Sequence, residues 1–298
     1  MEVGRHVRLT RPLRDDAVAE IPRVQPRVQY DKGKELMPMP RWMWKAVVVC
    51  TVGAVSLCAQ GRGGRGPAPV RTPKEAAPID LTGYWVSVVT GDWRFRMVTP
   101  PKGDFTSMPL NPEGRKIAQA WDPAKDEAAG EQCKAYGAPA LMRVPGRLHI
   151  TWQDDQTLKM EVDSGEQTRL FSFGAPQNKG GDWQGVSKAS WELMPGTITA
   201  TDGGRAGLGS VDGRAGSLRV VTTNFKAGYL RKNGVPYSDK AIVTEFFDRV
   251  NEPNGDSYII DTSTVEDPMY LTAPFMLSTH FKKEADGAKW SPQPCTAR

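Results

Sequence analysis

Short segments in which apolar and polar residues alternate, separated by turn residues, dominate the chain from Ile79 onward. The segment YWVSVVT is followed by Gly91-Asp92 and then by WRFRMV, which predicts one β-hairpin. RLHITWQ and LKMEV predict a second hairpin, and the turn at Ser164-Gly165 leads into a third strand that ends near Phe173. A period of two residues is typical of antiparallel strands that bury one face, so the chain is constrained to a β-sheet fold.

The remaining strand patterns lie in the second half of the chain, as SKASWEL, SLRVVTTNF, AIVTEFFDRV, SYIIDTSTV and PFMLSTHFKK. Asn254-Gly255 predicts a type I′ hairpin, and the Gly-rich stretch 196–216 predicts a surface insertion. Helix signals are confined to PEGRKIAQAW, where Asn111 precedes Pro112, and to PAKDEAAGEQ. The sequence therefore predicts an all-β fold, an antiparallel barrel of about nine to eleven strands with one or two short helices or, failing that, a sandwich.

The positive charge of the chain is concentrated in its first 59 residues. These hold ten Lys and Arg against six acids, so the net charge of +5 falls to about +1 for residues 60–298. A nearly neutral remainder gives no electrostatic reason to expect a nucleic-acid partner.

Residues 46–59, AVVVCTVGAVSLCA, form an apolar run that follows Arg41 and Lys45. This pattern predicts a signal peptide cleaved after Ala59, the alternative being an uncleaved anchor. We expect residues 1–59 to be a leader whose start is placed too early, 60–78 a Gly/Pro-rich linker and 79–298 a single barrel domain. The expected location is the periplasm or the exterior, with no membrane span after cleavage.

Outside the leader the chain holds only two cysteines, Cys133 and Cys295. An even pair in an oxidising compartment predicts a disulfide that ties the C-terminal tail to the middle of the chain. Closing so long a loop would contribute about 4 to 5 kcal/mol in the chain-entropy description. The alternative is two buried thiols.

After the leader the only histidines are His149 and His280, and no zinc, nucleotide or nucleophile motif is present. We therefore expect neither a metal nor a cofactor. The first candidate cluster lies on the central hairpin, where His149 faces the same side as Thr151 and Gln153. On the next strand Glu161 and Asp163 share a face, so an imidazole and carboxylates would converge for acid/base catalysis if that face lines a cavity. The alternative places this polar face in solvent.

Five further residues are predicted to bind a ligand: Tyr84, Arg94, Trp152, Arg169 and His280. Their aromatic rings and guanidinium groups could stack on a ring or hold a carboxylate. Trp85 is instead expected to plug one end of the barrel beneath an arginine, and Asp267 to be a turn residue.

The opening DLTGYW, with Gly83 and Trp85, resembles the G-x-W signature of the lipocalin and calycin barrels. DLTGYWVSVVTGDWRFRM, QCKAYGAPALMRVPGRLHITWQDDQTLKMEVDSGEQTRLF, WQGVSKASWE, LRVVTTNF, NGVPYS and TVEDPMY resemble a group of uncharacterised secreted bacterial proteins. This resemblance spans about residue 80 to the end and implies an exported lipocalin-like β fold, but no reaction. The chain departs from the family's WEGDTLVV segment, because the Gly-rich insertion separates Trp191-Glu192 from LRVV.

From these patterns we expect an exported β-barrel that binds a small, partly apolar organic molecule. One form of this hypothesis is a cofactor-independent acid/base enzyme, a lyase, isomerase or hydrolase, in which Glu161 or Asp163 orients His149. The other is a non-catalytic carrier or scavenger of an apolar ligand. A third alternative is an envelope scaffold without a pocket.

Overall fold

A computed structural model of the chain describes residues 71–193 and 215–298. The predicted leader, most of the linker and most of the Gly-rich insertion lie outside these ranges. The described helices are α1 Pro73–Ala76, α2 Trp93–Arg96, α3 Pro112–Ala120, α4 Pro123–Ala128 and α5 Ala138–Leu141, with a 3₁₀ helix at Gln132–Tyr136. The strands are β1 Gly83–Val88, β2 Arg147–Trp152, β3 Thr157–Val162, β4 Gln167–Ser172, β5 Val186–Leu193, β6 Gly216–Thr223, β7 Gly228–Arg231, β8 Val235–Tyr237, β9 Ile242–Asn251, β10 Ser257–Glu266 and β11 Phe275–Lys283.

Nine of these strands close into one barrel, in the order β1-β11-β10-β9-β6-β5-β4-β3-β2, and β7 and β8 form a separate two-stranded sheet. The all-β barrel predicted from the sequence is confirmed, but it is not purely antiparallel. β4 and β5 pair in parallel over Phe171↔Ser187 and Ser172↔Lys188. Strand directions around a closed ring of nine cannot alternate throughout, because nine is odd, so at least one neighbouring pair must be parallel.

Alternate residues of the strands fill the barrel interior. Leu148 and Ile150 of β2 and Met160 of β3 are almost fully buried, and together with Trp85, Phe171, Phe247 and Phe281 they belong to one apolar core. The β2–β3 register pairs Leu148 with Val162 and Ile150 with Met160, as the predicted second hairpin requires. The third predicted strand follows as β4.

Trp85 closes one end of the barrel. It is fully buried, and its Nε1 donates to the carbonyl oxygen of Leu81 at 2.9 Å. The Arg249 guanidinium carbon lies 5.9 Å from the Trp85 ring centre and Lys283 Nζ lies 4.7 Å from it. The expectation of a tryptophan plug beneath an arginine is thus confirmed; we call this side the tryptophan end.

The first hairpin predicted from the sequence is wrong. Trp93–Arg96 forms the short helix α2 instead of a strand, after the chain reverses at Asp92, whose φ is 55°. Both edges of β1 are already occupied by β2 and β11, so no third strand can pair with it. The burial is also the reverse of the predicted alternation, because Trp93 is 64% exposed and Arg96 is buried.

The turn between β9 and β10 also differs from its prediction. Gly255 has a φ of 89°, but Asn254 is not in the left-handed region, so the turn is not of type I′. Glu252 N and Gly255 N donate to the carbonyl oxygens of Asp256 and Glu252. Pro253 suits the first central position of a type I turn, with Gly255 in the following left-handed position of a three-residue loop.

Helices α2–α5 and the β7–β8 sheet lie at the end of the barrel where β2, β9 and β11 begin, which we call the capped end. A second apolar cluster there includes Phe105, Leu230, Val243 and Phe275. The predicted disulfide is present, joining Cys133 to Cys295 with Cα atoms 5.1 Å apart. Among the described residues no helix is long and apolar enough to cross a membrane.

Candidate functional site

The predicted acid/base pair is formed, but on the outside of the barrel. His149 Nδ1 lies 3.1 Å from Glu161 Oε2, because β2 and β3 pair these two residues directly. The His149 ring stacks on Tyr84 at 4.1 Å between ring centres, and Trp290 of the C-terminal tail lies edge-on at 6.1 Å. The polar face of the central hairpin therefore covers the outer wall and does not line an internal cavity.

Asp163 does not join this pair. It is almost fully buried, and its Oδ1 accepts a hydrogen bond from the backbone N of Arg147 at 2.6 Å. The backbone N of Asp163 donates to the carbonyl oxygen of Arg147, at the start of β2, and its carbonyl oxygen accepts from the backbone N of Gln293 in the tail. These contacts give Asp163 a role in joining the hairpin to the tail.

Arg169 faces the barrel interior, on the side of the sheet opposite His149. Its Nη1 and Nη2 donate to Glu245 Oε1 and Oε2 at 2.7 and 2.5 Å, and both side chains are at most 1% exposed. Nη2 also donates to Thr222 Oγ1 at 3.2 Å. A bidentate arginine–carboxylate pair of this kind satisfies both charges, although Arg169 Nε has no acceptor among the described residues.

The other predicted ligand-binding residues lie apart from one another. Trp152 packs against Phe173 at the tryptophan end, 5.7 Å between ring centres. Arg94 is largely exposed and pairs with Asp104 at 2.8 Å. His280 lies on the outer face of β11, where its nearest polar partners, Thr90 and Ser278, are both 3.4 Å away. The structure thus brings Tyr84, His149 and Glu161 together and leaves the rest at separate places.

A cavity at the capped end collects three arginines, none of which is among the five predicted ligand-binding residues. It has a volume of about 210 Å³. We call it the arginine pocket; among its lining residues are Phe95, Arg96, Arg143, Arg231, Lys232 and Arg298. Arg96, Arg143 and Arg231 are 8%, 7% and 3% exposed, so these three cations are held largely out of water.

Among the described residues, one acid lies within ion-pair distance of any of the three buried guanidinium groups. Asp92 Oδ2 lies 2.6 Å from Arg143 Nη2 and 3.6 Å from Arg231 Nη2. Arg96 donates from Nε to the carbonyl oxygen of Arg143, and Arg231 donates from Nη1 to that of Thr106. In the described part of the chain, the three guanidinium groups thus have one carboxylate within ion-pair distance, and Asp104 acts on Arg231 from further away. Positive charge is in excess here, where unpaired charge is costly.

Four donors of these arginines have no acceptor among the described residues. They are Nη2 of Arg96, Nη1 of Arg143, and Nε and Nη2 of Arg231. Buried donors in folded proteins are nearly always hydrogen-bonded, so a convergent set of free ones marks a place for an acceptor. Carboxylate and phosphate oxygens match the planar fork of a guanidinium group.

The guanidinium pKa values show how much repulsion the pocket contains. Burial, and then repulsion from Arg143, lower the pKa of Arg96 to about 10 and that of Arg231 to about 10. Burial also lowers the pKa of Arg143, against the opposing attraction of Asp92. With pKa values of about 10, Arg96 and Arg231 remain charged at neutral pH, and a bound anion would relieve their repulsion with Arg143.

Lys232 extends the positive lining towards the C-terminal tail. Its Nζ donates to the Tyr136 hydroxyl oxygen at 2.6 Å and lies 4.6 Å from that ring's centre. Burial raises the pKa of the Tyr136 hydroxyl, but the hydrogen bonds from Lys232 and Thr296 outweigh burial and lower it overall. The rim of the pocket is thus tied to the tail that Cys295 anchors.

The arginine pocket is built from one segment that was predicted wrongly, α2, and from two that were not predicted, α5 and β7. Arg96 turns inward because α2 is a helix, and Arg143 follows α5, whose four residues are all buried. Arg231 ends β7, where its guanidinium carbon lies 4.1 Å from the Phe95 ring centre. In the sequence, Arg96 stands out only by alternating with aromatic residues, and nothing distinguishes Arg143 and Arg231 from surface arginines.

No group of three metal-ligating side chains that could hold an ion occurs within residues 71–193 and 215–298. No protein-family model, curated protein or solved structure matches the chain.

Proposed function

We propose that this protein is an exported β-barrel that binds a small organic anion in the arginine pocket. The observation that carries the proposal is a set of four buried guanidinium donors that have no hydrogen-bond acceptor among the described residues and belong to residues lining one cavity. Each charge-assisted hydrogen bond to such a group contributes about 1.5 to 3 kcal/mol, and an unmet donor costs a similar amount. A carboxylate or phosphate group bound there would satisfy the donors and offset the excess charge.

The export part of the proposal rests on the signal-like run at residues 46–59 and on the disulfide between Cys133 and Cys295. Structural disulfides persist in oxidising compartments and are rare in the cytosol. The tryptophan plug beneath Arg249 supports a lipocalin-like relationship for the barrel. The ligand site would then lie in the cap and not inside the barrel, whose interior is filled by side chains such as Phe171 and Phe247.

Within this proposal the protein acts as a non-catalytic carrier or scavenger. The arginine pocket supplies binding groups but no base that touches a ligand. A second candidate, acid/base catalysis at His149, is supported by the 3.1 Å contact with Glu161 and by the stacked Tyr84 ring. A substrate would have to reach that pair from the outer wall, beside Trp290.

Calorimetric titration with acetate, benzoate, succinate and inorganic phosphate at low ionic strength tests the binding function. We expect at least one of these anions to bind, and Arg143→Gln or Arg96→Gln to weaken that binding about 10- to 100-fold. Arg94→Gln is the matched control, because Arg94 lies on the same short helix as Arg96 but pairs with Asp104 at the surface. His149→Ala should leave binding unchanged.

Two results would contradict the proposal. One is the absence of binding by every probe to the folded chain. The other is an equal loss of affinity in Arg94→Gln and the pocket variants, which would indicate only a general electrostatic effect. Circular dichroism of each variant establishes that the barrel remains folded.

A further inference from the structure

The arginine pocket opens into a second depression along the cap. Thr99 and Arg298 line both cavities, so the two are contiguous. The second has a volume of about 430 Å³. We call it the proline groove, because Pro100, Pro101 and Pro123 line it together with Trp121. A cationic pocket thus continues into a groove lined by three proline rings and an indole, with Lys102 and Asp122 also in its lining.

The Trp121 side chain holds a polar N–H group in a fixed position at the proline groove. The side chain is 8% exposed, and its indole Nε1 is a buried donor without an acceptor among the described residues. A side chain at Gly234, whose φ is 82°, would overlap the Trp121 ring, so the turn between β7 and β8 holds the indole in place. Buried tryptophan N–H groups usually find a partner.

The rim of the arginine pocket is apolar as well. Met97 and Val98 are 59% and 69% exposed and belong to its lining. The Phe95 ring lies between the guanidinium groups of Arg94 and Arg231, at 5.0 and 4.1 Å. A compact, fully hydrated anion would place no apolar group against this surface or the proline groove.

We propose that the ligand is an elongated carboxylic acid whose carboxylate occupies the arginine pocket and whose apolar body follows the proline groove. A neutral oxygen near its far end would accept the hydrogen bond that Trp121 Nε1 can donate. This inference rests on the proposed anion-binding function and adds the class of anion. The apolar body distinguishes such a ligand from inorganic phosphate or a short dicarboxylate.

The test is a titration series with the full chain, using acetate, hexanoate, octanoate and 7-oxooctanoate. Affinity should rise about fourfold for each methylene that becomes buried. The oxo acid should bind more tightly than octanoate, which has the same number of carbons. Trp121→Phe keeps a ring in the groove but removes the donor, so it should lower the affinity for 7-oxooctanoate to that for octanoate. Octanoate binding by the same variant serves as its folding control.

The outcomes separate this inference from the proposed function. If acetate and octanoate bind equally, or phosphate binds more tightly than every carboxylate, the inference is overturned while anion binding stands. If Trp121→Phe weakens octanoate and the oxo acid alike, the assigned hydrogen bond is wrong. If no anion in the series binds, the proposed function itself has failed. Arg143→Gln should weaken every carboxylate in the series.

Discussion

Asp261 is a carboxyl group inside the barrel that lacks a cation of its own. It is fully buried, its Oδ2 accepts from Thr279 at 3.2 Å, and its Oδ1 has no partner among the described residues. Burial raises its pKa well above the ordinary value, and the charge of Glu245 adds to the rise while Arg169 opposes it. Arg169 is already paired with Glu245, so its opposing effect does not reverse the rise in the pKa of Asp261.

The raised pKa predicts a specific pH dependence of stability. Above pH of about 4 the unfolded chain releases the Asp261 proton, whereas the native chain retains it. The free energy of unfolding should therefore fall as pH rises, by about 1.4 kcal/mol per pH unit, up to the native pKa. The stability that this group contributes is fully present only below about pH 4. Asp261→Asn, which mimics the neutral acid, should remove this fall.

Urea unfolding at several values between pH 4.5 and 7.5 measures the effect. The stability of Asp261→Asn relative to the wild-type chain should increase with pH above about 4, up to the native pKa of Asp261. Asp256→Asn is the control, because the hydrogen bond from Lys282 lowers the pKa of exposed Asp256, so this group is ionised throughout the range. A constant difference between Asp261→Asn and the wild-type chain would contradict the neutral state of Asp261.

At the scale of residues, the sequence predicts which residues face each other across a hairpin better than it predicts how buried charges are paired. His149 and Glu161 were paired correctly because a strand register follows from the alternation of residues on two adjacent strands. Arg169 was expected to hold a ligand, yet its partner Glu245 lies 76 residues further along the chain. Alternation alone does not reveal that two charged residues satisfy each other inside a barrel.

At the scale of elements, two loops contain glycines with nearly the same backbone conformation but different surroundings. Gly255, between β9 and β10, has a φ of 89° and open space where a Cβ would lie. Gly165, between β3 and β4, has a φ of 84°, and a Cβ there would overlap the Tyr136 ring. Alanine variants of the two glycines therefore separate the free-energy cost of the backbone conformation from the cost of steric overlap.

Gly255→Ala should destabilise the chain by about 1 to 2 kcal/mol, the cost of a left-handed conformation for an alanine. Gly165→Ala carries the same backbone cost and adds overpacking of about 1 to 3 kcal/mol against Tyr136. The midpoints of urea unfolding for the two variants provide the comparison. Equal losses would show that Tyr136 moves freely, which would contradict its tight placement beside the tail.

Strands were predicted more accurately than the cap. β2, β3 and β4 follow from alternation and turn residues, and α3 begins as its signals require, with Asn111 accepting from Gly114 N at 2.8 Å. Trp93–Arg96 also alternates, but the edges of β1 were already paired, and edge availability is a property of the closed ring. The parallel β4–β5 pair likewise depends on the total number of strands.

At the scale of the whole molecule, the arginine pocket could not be predicted from the sequence. Arg96 and Arg143 are joined by a hydrogen bond across 47 residues, and Arg231 reaches Thr106 across 125. They come together because the end of the barrel and the β7–β8 sheet place three distant segments side by side. No local period or spacing marks such a cluster, whereas the disulfide could be predicted because only two cysteines lie outside the predicted leader.

The Cys133–Cys295 bridge joins the tail to the cap across a sequence separation of 162 residues. Chain entropy for a loop of this length predicts a stabilisation of about 5 kcal/mol, which the double variant Cys133→Ser/Cys295→Ser should lose. The tail would then be held by the backbone bonds between Gln293 and Asp163 or Gly165, and by Thr296 N donating to Tyr136. Because Lys232 contacts both Tyr136 and Thr296, the rim of the arginine pocket should loosen with the tail.

Urea unfolding and amide hydrogen exchange of the double variant test this prediction. We expect the free energy of unfolding to fall by about 5 kcal/mol. We also expect amide hydrogens to exchange faster in residues 291–298 and around Lys232. Adding a thiol reductant to the wild-type chain should reproduce both effects and should leave the double variant unchanged. A loss below about 1 kcal/mol would mean that tail contacts, and not the covalent bridge, hold the tail against the cap, since the chain-entropy term would then be largely offset.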